Sequence, residues 1–276
     1  TGGNNIGFMA RDPESKYVIL LNNDAVPLPE SLPLMVEYAE KYEWVGALNG
    51  IILRYGSSLI DTAGGFLDEL LFSHLTGSGK PYPWIAKHPF YISYADGAYV
   101  LYRVEHILRC IGNKLFIDEL FGYIDDSMVG LILWNRGCSS LSIPHAVAYH
   151  TRGATFGKIS PLAWYLSTRN RLALITITNS RFKRHMCLYA LKSYATPTML
   201  RNRLYRVHTR ALYDALRLGE ILKRKLGGEK IDIYKAPIIR IQGFDLVKYL
   251  FGSRRLIKAH HEEEIVKLIN TLQVEE

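Results

Sequence analysis

The run Tyr17–Leu21 constrains the fold more than any other segment of the chain. Its five residues are all apolar or aromatic, which predicts a buried strand. Asn22, Asn23 and Asp24 follow at once, and Pro27 prevents the strand from continuing. An acidic residue just past the C-terminal end of a buried strand is where α/β sheets place ligand and metal chemistry. The same residues also suit a plain turn, so this run alone leaves a site and a turn open.

The segments that follow alternate between helix and strand periodicity. Residues 31–42 carry apolar side chains at helical spacing, and residues 44–53 indicate the next strand. Strand, helix and strand in succession are typical of an α/β domain. Residues 55–90, rich in Gly, Ser and Pro, predict a long excursion over the sheet edge. Residues 91–102 predict a strand that includes Asp96, and residues 146–149 a short strand that ends at His150.

Beyond residue 160 the pattern becomes mainly helical. Pro161 can start a helix that runs to about Thr178, and further helices are predicted over 200–226 and 262–272. We therefore expect an α/β domain over residues 1–178 and a mostly helical region over residues 179–276.

The charge of the chain is concentrated in its last third. Residues 1–180 contain 14 Lys and Arg against 16 Asp and Glu, whereas residues 181–276 contain 20 against 10. This asymmetry predicts that the second region faces an anionic partner, such as phosphates, acidic lipid head groups or nucleic acid. A solvated basic helical surface is the alternative.

Cysteine content and hydropathy narrow the class of protein. Cys110, Cys138 and Cys187 are widely spaced, without a CxxC or other metal-type spacing, and we expect reduced core residues in a cytosolic protein. No apolar run approaches the roughly 18 residues that cross a bilayer. The remaining options are a soluble or a membrane-peripheral protein.

Polar residues follow four of the buried-looking segments. They are Asp24, Asp96, the pair Asp125 and Asp126, and His150. Each has an ordinary explanation: a turn for the first two, a helix N-terminus for the pair, and a hydrogen-bonded structural histidine for the last. Their joint order is the informative feature.

In that order the chain resembles the family 2 glycosyltransferases, most closely their rhamnosyltransferase-like members. The resemblance covers about residues 1–175. It rests on these segments: Gly2-Gly-Asn-Asn-Ile-Gly-Phe8, Val18-Ile-Leu-Leu-Asn-Asn-Asp24 with Pro27, Tyr94-Ala-Asp-Gly-Ala98, Phe116 to Tyr123 leading into Asp125-Asp126, Gly137, Pro144 to His150, and Arg169-Asn-Arg171.

The resemblance implies a GT-A-like fold, with a mixed sheet flanked by helices and followed by the basic helical region. It also implies an inverting transfer of a hexosyl or deoxyhexosyl group from a nucleotide-sugar to an acceptor hydroxyl of a glycan or lipid-linked acceptor, as in cell envelope glycan assembly. Asp24 matches the last residue of the family's metal motif, which implies Mg²⁺ or Mn²⁺ on the donor diphosphate. His150 matches a family histidine near that diphosphate and is a second implied metal ligand.

The remaining site residues are carried over in the same way. Asp126 matches the family's catalytic base, although Asp125 could serve instead. Donor or acceptor binding is expected from Asn22, Asn23, Asp96, Gly97, Ala98, Arg169 and Arg171; for the two arginines, helix-surface charges are an equal alternative.

Two departures from the family pattern stand out. The chain starts at Thr1, inside the pattern, so we expect the N-terminal nucleotide-binding strands to be missing. Met128 and Ile132 replace the acid and the arginine that usually follow the acidic pair, which puts contacts from that helix in doubt. Both departures motivate an alternative function as a non-catalytic, truncated interaction module.

The expected partners follow from these predictions. They are a nucleotide-sugar, a glycan or lipid-linked acceptor, and an anionic membrane surface contacted by residues 181–276. Nucleic acid is not expected, because the basic region carries no recognised binding motif. Self-association is left open. The expected location is cytoplasmic, at the inner face of the cell membrane.

Overall fold

The computed structural model of the chain describes residues 1–151, 160–185, 204–242 and 254–274, together with residues 188, 190, 191 and 194. The α-helices in these ranges are α1 (Gly2–Met9), α2 (Ser31–Lys41), α3 (Val104–Cys110), α4 (Asp125–Asn135), α5 (Pro161–Thr176), α6 (Tyr205–Lys225) and α7 (Arg254–Thr271). The strands are β1 (Tyr17–Leu21), β2 (Ala25–Pro27), β3 (Val45–Arg54), β4 (Ile60–Thr62), β5 (Gly65–Asp68), β6 (Ser73–Leu75), β7 (Phe90–Ile92), β8 (Tyr99–Arg103), β9 (Ser139–His150) and β10 (Ile238–Ile239).

A mixed sheet forms the centre of the molecule. Its strand order is β1-β8-β3-β9-β2, with β4 on β3 and β7 on β9. The pair β3–β9 is parallel, and the other pairs of this sheet are antiparallel. A small second sheet has the order β10-β5-β6.

Helices cover both faces of the central sheet. Met35 and Ala39 of α2 pack with Leu48 of β3 on one face. On the other face, Val129 and Leu133 of α4 pack with residues of β3. Nine of the ten residues of β3 are buried as a result. The predicted fold class, a mixed α/β sheet flanked by helices with a helical C-terminal region, is confirmed.

The C-terminal region packs into the same body as the preceding residues. β10 extends the small sheet by pairing with β5. Ile265 and Ile269 of α7 belong to the same buried cluster as Phe8 and Phe66. The change in composition near residue 178 is therefore not a break in the packing.

The strand β1, predicted to be buried, is instead a half-buried edge strand of the central sheet, because among the described residues only β8 pairs with it. Three further predicted elements differ from those observed. Residues 96–98 form a turn between β7 and β8, because the Asp96 side chain accepts a hydrogen bond from the Ala98 N–H over 3.0 Å and so competes with strand pairing. The strand that ends at His150 begins at Ser139, not near Ala146. The segment over 55–90 contains β4, β5 and β6, and its residues 60–71 are all buried.

The thiols of Cys110 and Cys138 are free, with their sulfurs 3.4 Å apart. Cys187 and the first residues of the helix predicted over 200–226 lie outside the described residues. In the part of the chain that the structure describes, no helix combines the length and apolarity needed to cross a bilayer.

We expect Gly130→Ala to destabilise the fold, because a Cβ at this position of α4 would lie 2.4 Å from the Ser93 carbonyl oxygen. The cost should be about 1–3 kcal/mol, the usual range for overpacking, measured by urea unfolding. Gly7→Ala in α1 is the matched control, since a Cβ there meets nothing within 4 Å and Ala is the better helix former. Equal unfolding midpoints for the two variants would contradict this packing.

Candidate functional site

A cleft of about 600 Å³ opens at the edge of the central sheet where β1 ends and β8 begins. Leu21 pairs with Tyr99 there, and the Asn22 N–H donates to the Ala98 carbonyl over 3.0 Å. The polar lining brings together residues that are distant in the sequence: Asn22, Asp96, Asp125, Asp126 and His150. Together with Gly97 and Ala98, seven of the predicted site residues thus share one cleft.

His150, the last residue of β9, stands between two carboxylates. Ala25 pairs with His150 across β2 and β9, so Asp24 lies beside the imidazole, with its Oδ1 3.1 Å from Nε2. On the other side, Nδ1 is 2.9 Å from Oδ2 of Asp61, a buried residue of β4. A carboxylate on the far ring nitrogen is what orients metal-ligating histidines. Asp24 and His150 therefore fit a divalent cation as an oxygen and a nitrogen donor placed side by side.

The turn that carries Asp96 is held from the neighbouring strand. Asn49, fully buried in β3, donates from Nδ2 to the Tyr99 carbonyl over 2.7 Å and accepts from the Asp96 N–H over 3.0 Å. Gly97 and Ala98, which complete the turn, also line the cleft. A single buried amide thus fixes the backbone of this wall.

The opposite wall is a strained loop that leads into α4. Phe121, Tyr123 and Ile124 all have φ between 62° and 67°, in the left-handed region that L-residues rarely adopt. Nδ2 of Asn170 lies 2.8–2.9 Å from the carbonyl oxygens of Leu120, Gly122 and Tyr123, which share its two N–H donors. Such strain persists only where the surroundings hold it. Here it places Asp125 and Asp126 at the start of α4, facing the cleft.

The carboxyl groups of Asp125 and Asp126 both have raised pKa values. Burial raises the pKa of Asp126 well above its ordinary value, and the charges of Asp125 and Asp96 raise it further. Backbone N–H groups of Ser127 and Gly97 oppose the rise without cancelling it. Burial also raises the pKa of Asp125. A carboxyl with a raised pKa in a cleft is typical of a proton-transfer group.

The apolar helix α4 is explained by its position between two cores. Met128 and Ile132 pack with Leu67 and Leu218 in one buried cluster, while Val129 and Leu133 belong to another. A helix that is apolar on all sides is a buried one. Met128 and Ile132 are therefore core residues, and the cleft contacts of α4 come from its first turn.

The predicted binding residues divide into two groups. Asn22, Gly97 and Ala98 line the cleft with Asp96, and Asn23 is the exposed residue next to Asn22. Arg169 donates instead to the Glu119 and Leu120 carbonyls, both over 2.9 Å. Arg171 is buried, stacks over Phe72 at 3.9 Å and donates to the Leu70 carbonyl. The diphosphate contact predicted for the two arginines stays a prediction, while their observed contacts are structural.

A second group of possible metal donors lies outside the cleft. Donor atoms of Asp68, His74 and His261 are all within 4.8 Å of one another. Sequence analysis missed this group and also Asp61. Asp61 begins an Asp-Thr-Ala-Gly-Gly run that gives a signal no stronger than that of a turn, and His261 is almost 200 positions from its partners. Only the tertiary fold brings them together.

Comparisons with known proteins give limited information on this chain. No protein-family model matches it, and a search of the curated proteins finds no match. Among solved structures 46 chains match. One is the crystal structure of GalNAc-T7 with UDP, GalNAc and Mn²⁺, with 12% sequence identity and a TM-score of 0.48. The match covers 79% of this chain but 43% of that chain, so this chain spans less than half of its length. A likeness at this level assigns no role to any residue.

We expect Asp126→Asn to stabilise the folded protein above about pH 4, the ordinary range of an Asp pKa. Because the folded state raises the pKa of Asp126, stability falls as the pH rises from that range through the raised value. The Asn amide does not ionise and so removes this loss of stability. Each pKa unit corresponds to about 1.4 kcal/mol of folding free energy. We expect a Tm higher by roughly 3 °C at neutral pH and no difference near pH 3. Exposed Glu14→Gln is the control, and a lower Tm for Asp126→Asn at neutral pH would contradict the assignment.

Proposed function

We propose that this protein is an inverting, metal-dependent glycosyltransferase that moves a sugar from a nucleotide-sugar donor to an acceptor hydroxyl. One observation carries the proposal: a single cleft joins His150, held between Asp24 and Asp61, to the raised-pKa carboxyl of Asp126. One end suits a cation with its diphosphate, and the other suits a proton acceptor. A metal-dependent inverting transfer uses both.

Asp24 Oδ1 and His150 Nε2 would hold the cation, and Asp61 would keep the imidazole in place. When bound, the cation supplies positive charge that neutralises the diphosphate of the donor and of the leaving nucleotide. Mg²⁺ takes oxygen ligands almost exclusively, so the imidazole donor favours Mn²⁺ of the two predicted ions.

Asp126 is the proposed base. It accepts the proton of the acceptor hydroxyl while the hydroxyl oxygen forms a bond to the anomeric carbon. The bond from that carbon to the diphosphate oxygen breaks, and its electron pair leaves with the nucleoside diphosphate. Attack opposite the leaving group inverts the anomeric centre. Asp126 is preferred to Asp125 because its pKa is raised by both neighbouring carboxylates as well as by burial.

The cleft walls would bind the two substrates. Asn22 and the turn of Asp96, Gly97 and Ala98 line the same cleft as His150 and Asp126, so we propose that they contact the transferred sugar and the acceptor. Asn23 is the adjacent exposed residue. The packing of Met128 and Ile132 in the core removes one reason for the alternative, a non-catalytic interaction module.

Two variants should separate the tasks of the cleft. Asp24→Asn is expected to weaken Mn²⁺-dependent binding of nucleoside diphosphates, measured by calorimetry, by at least about 10-fold. Asp126→Asn is expected to retain that binding and to lower kcat for transfer roughly 100- to 10,000-fold. In the wild type kcat should rise with pH through the raised Asp126 pKa, because the base must be ionised.

A panel of UDP-, GDP- and dTDP-sugars with Mn²⁺ identifies the donor, and Glu14→Gln serves again as control. Metal-dependent binding without turnover of any donor would support the interaction module. Absence of metal-dependent binding to every donor would reject the glycosyltransferase for this chain.

The exposed face of α6 is the proposed contact with the membrane. Tyr213 and Leu216 are 72% and 67% exposed, and Arg206, Arg217 and Arg224 are exposed on the same helix. Basic and apolar groups on one helix face combine attraction to anionic lipid with shallow insertion. We propose that this face holds the protein at the inner face of the cell membrane, close to a lipid-linked acceptor.

The double variant Arg217→Glu/Arg224→Glu should lose vesicle binding, since each basic residue near an anionic surface contributes about 1 kcal/mol. We expect affinity for phosphatidylserine-containing vesicles to fall at least about 30-fold in a sedimentation assay. Lys41→Glu/Lys87→Glu changes the charge equally at exposed sites outside the last third of the chain. An equal loss of vesicle affinity in both double variants would show that net charge alone causes the effect. It would then reject the α6 contact.

A further inference from the structure

A second cavity, of about 290 Å³, lies on the far side of β6 from the cleft. Ser73 and Leu75 line both cavities, whereas His74 between them lines only the second. The other wall is α7, which contributes His261, Glu262 and Ile265. Strand β6 therefore separates the candidate active site from this cavity.

Two residues that line this cavity, His74 and His261, converge with Asp68 on one place. Asp68 is fully buried, His261 is 3% exposed, and the His74 side chain is 18% exposed. Oδ2 of Asp68 lies 2.9 Å from Nε2 of His74 and 4.0 Å from Nε2 of His261. The two imidazole rings have centroids 3.9 Å apart. Two histidines thus direct the same ring nitrogen towards one carboxylate oxygen.

The carboxylate is fixed before any cation arrives. Oδ1 of Asp68 accepts hydrogen bonds from the backbone N–H groups of Leu70, at 2.8 Å, and Phe72, at 3.0 Å. These bonds set the carboxylate plane and leave Oδ2 directed at the histidines. Hydrogen-bonded support of this kind is what orients metal-ligating carboxylates.

The distances among the three groups are compatible with a shared ion. Nε2 of His74 lies at hydrogen-bond distance from Oδ2 of Asp68, 2.9 Å, and Nε2 of His261 lies 4.0 Å from the same oxygen. A four-coordinate ion with bonds of about 2.0–2.2 Å to nitrogen and oxygen would bridge all three donors after small side-chain shifts. Two neutral imidazoles and one carboxylate form a donor set that binds Zn²⁺ in preference to Mg²⁺ or Mn²⁺.

We propose that Asp68, His74 and His261 bind one Zn²⁺, which clamps α7 to the small sheet beneath the active-site cleft. The cavity has room for a water molecule as the fourth ligand. Ile265 and Ile269 of α7 already pack in the core, so the ion would fix a helix that is docked by apolar contacts. The clamp is separate from the cation of the proposed transfer reaction.

The test uses the full chain, freed of metal by a chelator and titrated with ZnCl₂ alone. To exclude the cleft, the titration is carried out in the Asp24→Asn background as well as in the wild type. We expect one tightly bound Zn²⁺ per chain at the clamp in both, by calorimetry and elemental analysis, and a Tm raised by several degrees. His261→Gln and His74→Gln should each weaken this binding at least about 100-fold, more than loss of an outer-shell partner.

His88→Gln, at an exposed histidine outside the cluster, is the matched control and should bind as the wild type does. Should a cluster variant fail to fold, Co²⁺ added to the metal-free Asp24→Asn protein gives an independent readout, since a four-coordinate site produces intense visible absorption. Unchanged Zn²⁺ affinity in His74→Gln and His261→Gln would overturn the proposal. So would the absence of both Zn²⁺ binding and a four-coordinate Co²⁺ spectrum in the Asp24→Asn protein.

Discussion

The parallel pairing of β3 with β9 is the contact on which the arrangement of the site depends. It runs the length of both strands and aligns Arg54 with His150 at their shared C-terminal end. The antiparallel neighbours β2 and β4 then deliver Asp24 and Asp61 to the two sides of the imidazole. On the other side of β3, β8 begins next to the end of β1 and carries the Asp96 turn. A slip of one residue in β9 would turn His150 to the opposite face of the sheet.

The cleft concentrates features that oppose stability. Asp96, Asp125 and Asp126 bring like charges together in a partly buried place, and the loop before α4 holds three L-residues at positive φ. Two side-chain amides compensate by holding the backbone in place. Asn49 forms a hydrogen bond with the Asp96 turn, and Asn170 forms one with the loop. Arg169 belongs to the same support through its bonds to loop carbonyls. The Arg169-Asn170-Arg171 motif therefore has a structural task whether or not it also meets a substrate.

The residue pattern within a single segment was sufficient to predict the helices and strands whose structure depends mainly on their own residues. The strand β1, the spacing of α2 and the start of α5 at Pro161 were predicted correctly. The predicted burial of β1 was wrong, because β1 is an edge strand and its apolar run does not show which strand of a sheet lies at the edge. The turn at Asp96 was wrongly predicted as a strand. Its apolar neighbours fit a strand pattern, which does not show that the Asp96 side chain forms a hydrogen bond with the nearby backbone. Asp24, Asp96, Asp126 and His150 could be predicted as a group only through their order along the chain. Asp61 and the possible metal donors on β5, β6 and α7 are not part of such an order, so they could not be predicted from the sequence.

The two proposed cation sites differ in how much of the coordination shell the protein would supply. Asp24 and His150 offer two donors near an open cleft, which leaves positions for diphosphate oxygens and water. Asp68, His74 and His261 offer two nitrogens and an oxygen in a buried place, which leaves one position of a four-coordinate ion for water. A chelator would strip both sites, so loss of activity after chelation follows from either one. Because the donor sets differ, separate return of Mn²⁺ and Zn²⁺ to the stripped protein distinguishes the ion of the reaction from the ion of the clamp.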